Sequence, residues 1–262
     1  VDFIERHHRS PFFLYVAFNA VHEPLQVTQR YIDRVTNVRD PREITYVAMI
    51  IALDDAVGRI LDALDRTGLA DDTLVIFLGD NGGVFWPERR NFADNSPLRA
   101  GKMYVHEGGV RVPFMMRWPN HIEAGSVYSQ PISSLDVLPT VVSAAHAELP
   151  SGRLIDGVDL MPYLSGDEEG VPHEFLAWRQ GRNRALRQGD WKYLQYGVNA
   201  AQLFNLADDP GELRSLAKER PEKLQELLRT YSGWESQMIE PVFRANKPRP
   251  VEYDGELILF DM

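Results

Sequence analysis

TLVIFLGDNGG (73–83) decides the fold. An unbroken apolar run, Leu74 to Leu78, ends abruptly on a glycine, an acid, an amide and two more glycines. A short apolar run bounded by turn residues suits a strand covered on both faces, the kind found inside α/β sheets. Asp80 and Asn81 then stand at the carboxyl end of that strand. A carboxylate beside an amide oxygen offers hard ligands for Ca²⁺ or Mg²⁺ rather than for zinc or copper. The same four residues, DNGG, are also what a tight turn prefers, so these residues alone leave both readings open.

Working outward, FFLYVAF (12–18) is a second continuous apolar run, bounded by Pro11 and by NAVHEP (19–24), and is expected to be a buried strand. His22 leaves its carboxyl end. Between the two runs lies a long helical pattern: Asp40 as N-cap, Pro41 at the first helical position, Glu43 completing a capping box, and Gly68 as the stop. Strand, helix and strand in this order predict a βαβ unit, whose active site collects at the carboxyl ends of the strands.

Downstream, VPFMMRWP (112–119) reads as another strand and SSLDVLPTVVSAAHA (133–147) as a short helix. A polar, glycine-containing stretch ending LSGDEEG (164–170) marks a subdomain boundary, giving an α/β core over 1–168 and a small α+β subdomain and tail over 169–262. In the latter, EFLAWR, RALRQG, WKYLQY and QLFNLA follow at the close spacing of an antiparallel sheet. RPEKLQELLRTYSGWESQM (220–238) is an amphipathic helix to cover it.

Composition excludes several classes. The 262 residues carry a formal charge of −10, which argues against a general nucleic-acid or membrane-surface binder, because that binding needs clustered Lys and Arg. With no cysteine, disulfides, thiolate metal sites and a cysteine nucleophile are all absent from the sequence as read. No apolar run reaches membrane-spanning length. An opening that goes from a partial amphipathic stretch straight into a core strand predicts further sequence upstream.

Two loops carry the remaining chemistry. NSPLRAGKMYVHEGGVRVP (95–113) sets Arg99, Lys102, His106, Glu107 and Arg111 among glycines without an apolar period, either as a solvated loop or as one that aims several donors at an anion. VFWPERRN (84–91) holds Trp86, a face for ring stacking, and Arg89 or Arg90, able to meet an anionic group; covering the loop is the plainer role for all three.

Taken together, HEPL (22–25), GDNGG (79–83), PLRAGKMYVHEGGVRVP (97–113) and RALRQGDWKYLQY (184–196) with QLFNLADDPGE (202–212) resemble the sulfatase family of the alkaline-phosphatase superfamily, in order and in spacing. The resemblance implies an alkaline-phosphatase-like mixed sheet flanked by helices, incomplete at its N-terminus, with a small C-terminal antiparallel sheet and helix. Asp80 and Asn81 match the family's second pair of Ca²⁺ ligands. Lys102 matches the lysine that contacts the sulfate, and His22 the histidine that holds the ester and protonates its leaving oxygen. His106, Glu107 and Arg111 are assigned to loop packing.

The departure from the family pattern is large. The family's nucleophile is a formylglycine made from Cys or Ser in C/S-x-P-x-R, and an acidic pair on its first strand completes the metal site. Neither is present. Asn95, Pro97 and Arg99 imitate the spacing, but an amide side chain cannot be oxidised to the aldehyde. The pairs Asp54–Asp55, Asp71–Asp72 and Asp208–Asp209 fall in a helix, before a strand and in a turn.

The resemblance therefore implies the C-terminal portion of an arylsulfatase-like sulfuric ester hydrolase, inactive alone, with an incomplete Ca²⁺ site. Its substrate would be the sulfate ester of a sugar or aryl alcohol, its location periplasmic or secreted, and its exposed core a cause of self-association. A phosphate or phosphonate monoester hydrolase and a non-catalytic remnant are the alternatives.

Overall fold

The structure, a computed structural model, describes residues 1–84, 92–240, 242, 248–253 and 255–261. Two compact units emerge, Val1–Val75 with Met116–Ala124, and Ile76–Met115 with Gly125–Met262.

The first unit is built on helices α1 (Asp2–His7), α2 (Gln29–Ile32) and α3 (Pro41–Arg66). Helix α3 starts where its cap dictates: the Asp40 carboxylate accepts the amides of Arg42 at 2.9 Å and Glu43 at 3.3 Å, and Pro41 occupies the first turn. It ends before Gly68, which takes φ +72°, a conformation open to glycine at no steric cost. Ile4 of α1 packs on Ala63 and Leu64, with Phe12, Leu14, Ile60, Leu69 and Val75 around them.

Residues 12–18 do not join a ladder. Phe12 and Leu14 turn into that cluster, while Phe13 and Tyr15 are 72% and 80% exposed. The alternation of an extended chain holds over residues 12–15, after which Val16, Ala17 and Phe18 are all exposed; among the described residues no neighbouring strand pairs with the segment, and the expected βαβ unit is accordingly not formed.

Strand β1 (Val75–Leu78) pairs with β2 (Phe114–Arg117), and the short helix α4 (Glu107–Val110) precedes β2. A 3-10 turn (Ser134–Asp136) leads into α5 (Val137–Ala144), and α6 (Met161–Ser165) follows. Asp136 is fully buried and well satisfied. Its carboxylate accepts the amides of Ser133 at 2.7 Å and Val158 at 2.9 Å and meets His173 Nε2 at 2.9 Å.

The C-terminal strands β3 (Leu176–Gln180), β4 (Asn183–Gln188), β5 (Trp191–Gln195) and β6 (Gln202–Asn205) form an antiparallel meander in sequence order. Their period-2 alternation sorts two faces. Leu186, Tyr193 and Leu203 meet Leu227 and Tyr231 of α7 (Pro221–Glu235). On the other face Ala185, Leu194 and Phe204 pack against Ala100, Tyr104 and Val105, with Ile258 from the hairpin of β7 (Pro248–Tyr253) and β8 (Glu256–Asp261). The register places Arg187 opposite Lys192 and Lys192 opposite Phe204, so both cations lie on this second face, toward the 99–110 segment.

Candidate functional site

The turn after β1 is tied down by backbone and by its own side chains. Asp80 Oδ1 accepts the Asn81 amide at 2.9 Å, and Asn81 Nδ2 donates to the Gly82 carbonyl at 3.0 Å. The glycines are required by close approach rather than by φ. A Cβ on Gly82 would stand 1.7 Å from the Gly108 carbonyl oxygen, and one on Gly109 would stand 2.0 Å from that of Tyr104. DNGG and HEGG are thus two halves of one backbone-to-backbone contact, closed by the Gly82 amide donating to the Gly109 carbonyl at 3.0 Å.

Lys102 enters the same place through its main chain, its amide donating to the Gly83 carbonyl at 3.0 Å. Asn95 joins them. Its Oδ1 accepts the Gly83 amide at 2.9 Å, and its Nδ2 lies 3.0 Å from the Gly83 carbonyl and 2.9 Å from that of Ala100. Asp80, Asn81 and Lys102 therefore share one compact region.

Behind the loop lies a buried charge cluster. Lys192 Nζ, with no solvent exposure, stands 2.8 Å from Glu107 Oε1 and 2.9 Å from Glu212 Oε1, the second an ion pair by distance alone. Arg187 reaches Glu107 Oε2 at 3.2 Å. Glu212 also takes the Glu107 amide at 2.7 Å on its carboxylate and Arg99 at 2.9 Å on its carbonyl. Burial alone would raise the Glu107 carboxyl, but Lys192 and Arg187 outweigh it and hold it below its ordinary 4.5. For Glu212 burial wins over Lys192 and lifts the carboxyl above that value.

His106 is also fully buried. Tyr196 Oη accepts the Val105 amide at 3.0 Å and shares a hydrogen bond with His106 Nδ1, 2.9 Å away. Burial, with Lys192 and Arg99 nearby, lowers the histidine well below its ordinary 6.5. A group held neutral behind the loop is a packing element, as expected for His106, and Glu107 serves as the loop's anchor.

His22 belongs to the first unit, is exposed, and places Nδ1 2.7 Å from the Glu23 carbonyl. Trp86, Arg89 and Arg90 lie outside the described residues. Reading the sequence missed Asn95, Lys192 and Glu212. For Asn95 the signal was its position just before the PLRAGK run. For Lys192 it was a lone cation in a strand, opposite a phenylalanine.

The Ca²⁺ expectation can be tested on the donor set. Among the described residues no cluster of three or more His, Cys, Asp or Glu could hold a metal ion. A hard cation takes six to eight oxygens. Asp80 and Asn81 have the right chemistry, oxygen donors on a fixed turn, but are only part of such a set.

A strand-end carboxylate and amide, a lysine brought to them by the main chain and a C-terminal meander packed behind give an α/β fold whose candidate site lies at the carboxyl end of a strand. The chain belongs to the sulfatase family: residues 1–147 match the Sulfatase family, and residues 100–232 match the family described as N-sulphoglucosamine sulphohydrolase, C-terminal. It is 35% identical to steryl-sulfatase of Mus musculus over 86% of this chain and 41% of that protein. It is 38% identical to N-acetylgalactosamine-6-sulfatase of Mus musculus over 81% of this chain and 40% of that protein. The structure of Ps i-CgsB in complex with k-i-k-neocarrahexaose superposes with a TM-score of 0.84 at 33% identity, covering 92% of this chain and 54% of the other. For the PsFucS1 sulfatase from Pseudoalteromonas sp. the TM-score is 0.76 at 25% identity, covering 90% and 51%. The fold is therefore alkaline-phosphatase-like. The chain spans about half the length of the relatives it matches. No helix among the described residues is long and apolar enough to cross a membrane.

Proposed function

We propose that this chain carries the sulfate-binding and leaving-group side of an arylsulfatase-like sulfuric ester hydrolase, acting on the sulfate ester of a sugar or aryl alcohol. The observation that supports it most is the bond between Lys102 and Gly83, which brings an ammonium-bearing residue to the Asp80–Asn81 turn. Lys102 neutralises charge on the transferring sulfuryl oxygens, and His22 gives a proton to the departing oxygen. Asp80 and Asn81 would hold Ca²⁺, which when bound supplies further charge neutralisation at the same oxygens. The nucleophile, a formylglycine, comes from a segment other than these 262 residues, so the chain alone is inactive. Trp86 and Arg89 serve as substrate-binding residues for the leaving group, and residues 169–262 form a subdomain that supports the 95–113 loop.

The test joins the chain to the N-terminal half of a sulfatase relative with a matured formylglycine and assays an activated aryl sulfate, a sugar sulfate and the matching phosphates. Sulfate hydrolysis is expected, with Lys102→Ala lowering kcat/KM by about 10²-fold, the usual cost of removing one preorganised charge. His22→Ala should hurt the sugar sulfate most, where protonation matters. Equal losses on both sulfates would remove His22 from the acid role. Activity on phosphates only would favour the phosphomonoesterase alternative, and activity of the chain alone would overturn the account of the nucleophile.

A further inference from the structure

We infer that Asn95 is a positioning residue that fixes Lys102 against the Asp80–Asn81 turn, an inference that rests on the reading of those residues as a sulfate-ester site. One part-buried amide makes three bonds across the gap: it accepts from the Gly83 amide at 2.9 Å and donates toward the carbonyls of Gly83 at 3.0 Å and Ala100 at 2.9 Å. Gly83 is two residues beyond Asn81, and Ala100 is two residues before Lys102.

The backbone at Lys102 has reason to need such a clamp. Ala100 and Met103, on either side of it, adopt φ +60° and +75°, values that cost a residue with a Cβ and persist only where the surroundings impose them. Asn95 Nδ2 takes the carbonyl of the first of these residues directly. The fit at the other end is equally close, since a Cβ on Gly83 would come within 3.1 Å of Asn95 Oδ1 and 2.4 Å of Ala93 Cβ.

Only an amide serves. Gly83 presents both an N–H and a C=O to the side chain, and Ala100 a second C=O, so the bridging group must accept once and donate twice. Aspartate keeps the size and the acceptor but sets a carboxylate oxygen against two carbonyls. The N-x-P-x-R run that imitates the family's nucleophile segment thereby acquires a role of its own, in which the side chain acts through the main chain of Gly83 and Ala100 and touches no substrate.

The experiment uses the 262-residue chain with Asn95→Asp, Asn95→Ala and, as a control in the same loop, Asp94→Ala, whose carboxylate caps the Ser96 amide at 2.9 Å. Amide hydrogen exchange at Gly83 and Lys102 is read by NMR, alongside the affinity for inorganic sulfate. Both Asn95 variants should lose about tenfold in protection at the Lys102 amide, and Asn95→Ala at the Gly83 amide as well, the scale of one or two hydrogen bonds, while amides of α7 and β5 and the Asp94→Ala protein stay at wild-type values. Sulfate affinity should fall with them.

Protection at Lys102 unchanged in both Asn95 variants, or lost equally in Asp94→Ala, would overturn the inference. So would collapse of both Asn95 variants where Asp94→Ala folds, since that marks a plain structural role. A wild-type chain that binds no sulfate yet shows the exchange pattern would leave the clamp standing and remove the function proposed above.

Discussion

FFLYVAF (12–18) and WKYLQ (191–195) exchange the places that composition assigns them. The first is wholly apolar, yet Phe13 and Tyr15 are 72% and 80% exposed; the second contains a lysine whose exposure is 0%. What differs is the supply of partners. Strand β5 has β4 and β6 on either side, α7 over one face and the 99–110 segment over the other, and that segment brings Glu107 to Lys192 while the turn before Arg214 brings Glu212. Among the described residues, 12–18 have a cluster on one side, made by Ile4, Ala63 and Leu64. Burial is a relation between segments, and a side chain's own polarity is a weak guide where the relation is strong.

The largest effect should come from breaking the relation at Lys192. Removing one member of a buried ion pair leaves a carboxylate without compensation and costs about 3–5 kcal/mol. Lys192→Ala leaves Glu212 in that condition and Glu107 with Arg187 as its remaining ion-pair partner, and is expected to fall within that range in urea unfolding. A loss below about 1 kcal/mol, the scale of a surface pair, would mean that water reaches the cluster and that the contrast with residues 12–18 is overstated.

Next comes the backbone contact between DNGG and HEGG. Gly82→Ala puts a methyl group where the Gly108 carbonyl stands, and both sides are main chain, so neither can swing away. Overpacking of this kind costs about 1–3 kcal/mol, and more where nothing yields. Gly58→Ala, with nothing within 4 Å and a place inside α3, should instead stabilise by about 0.5–1 kcal/mol through helix propensity. Opposite signs for the two alanines are the expected result in thermal melts.

These two cases show what was legible. Helix α3, β1, the meander and α7 follow from caps and from periods of 3.6 and 2, which are local properties, and they were read within a few residues. Asp80, Asn81 and Lys102 could be singled out as candidates because their motifs are contiguous. Asn95 and Glu212 were not, since an amide that bonds Gly83 and a glutamate that bonds the Glu107 amide act across 12 and 105 residues of chain. The strand expected at 12–18 failed for the same reason. Its pattern was right for a ladder, but pairing is decided by a neighbour that the pattern does not contain.

A third effect is pH-dependent and concerns the neutral His106. The ring faces Tyr196 at Nδ1 and the Tyr104 ring, with Lys192 and Arg99 as the nearby cations, so protonation would add a third positive charge to a buried place. With its folded value below the unfolded 6.5, the unfolded chain binds more protons in the interval between them. The stability contributed by His106 is thus complete above pH 6.5 and is lost as the pH falls below it. Glu212, raised by burial, works in the opposite sense at its own ionisation. Melting wild type and His106→Asn, whose side-chain amide can still hydrogen-bond Tyr196, between pH 7.5 and 5.5 isolates the histidine: the wild type should lose more than the variant. Parallel curves would mean that the ring takes up a proton without leaving its place.

The smallest effect on stability should come from the most apolar stretch. Phe13→Ser and Tyr15→Ser remove rings that are mostly in water already, so each is expected to change the unfolding free energy by no more than about 0.5 kcal/mol. Their effect should show elsewhere. Phe13, Tyr15, Val16 and Phe18 are exposed together, a concentration of apolar surface beyond the scattered residues normal on soluble proteins. The wild-type chain is expected to self-associate through it as concentration rises, and the double serine variant to remain monomeric at the same concentrations, as read by sedimentation velocity. Phe12→Ala supplies the internal reference. Its ring packs against the Ile4 cluster and meets Phe3 edge-on at 5.8 Å, so it should lose stability on the scale of a partly buried aromatic while leaving association unchanged. If Phe12 controls stability and its neighbours Phe13 and Tyr15 control association, residues 12–15 behave as a strand in all but its partner. Monomeric behaviour of the wild type at every concentration would show instead that the exposed rings are covered within the chain.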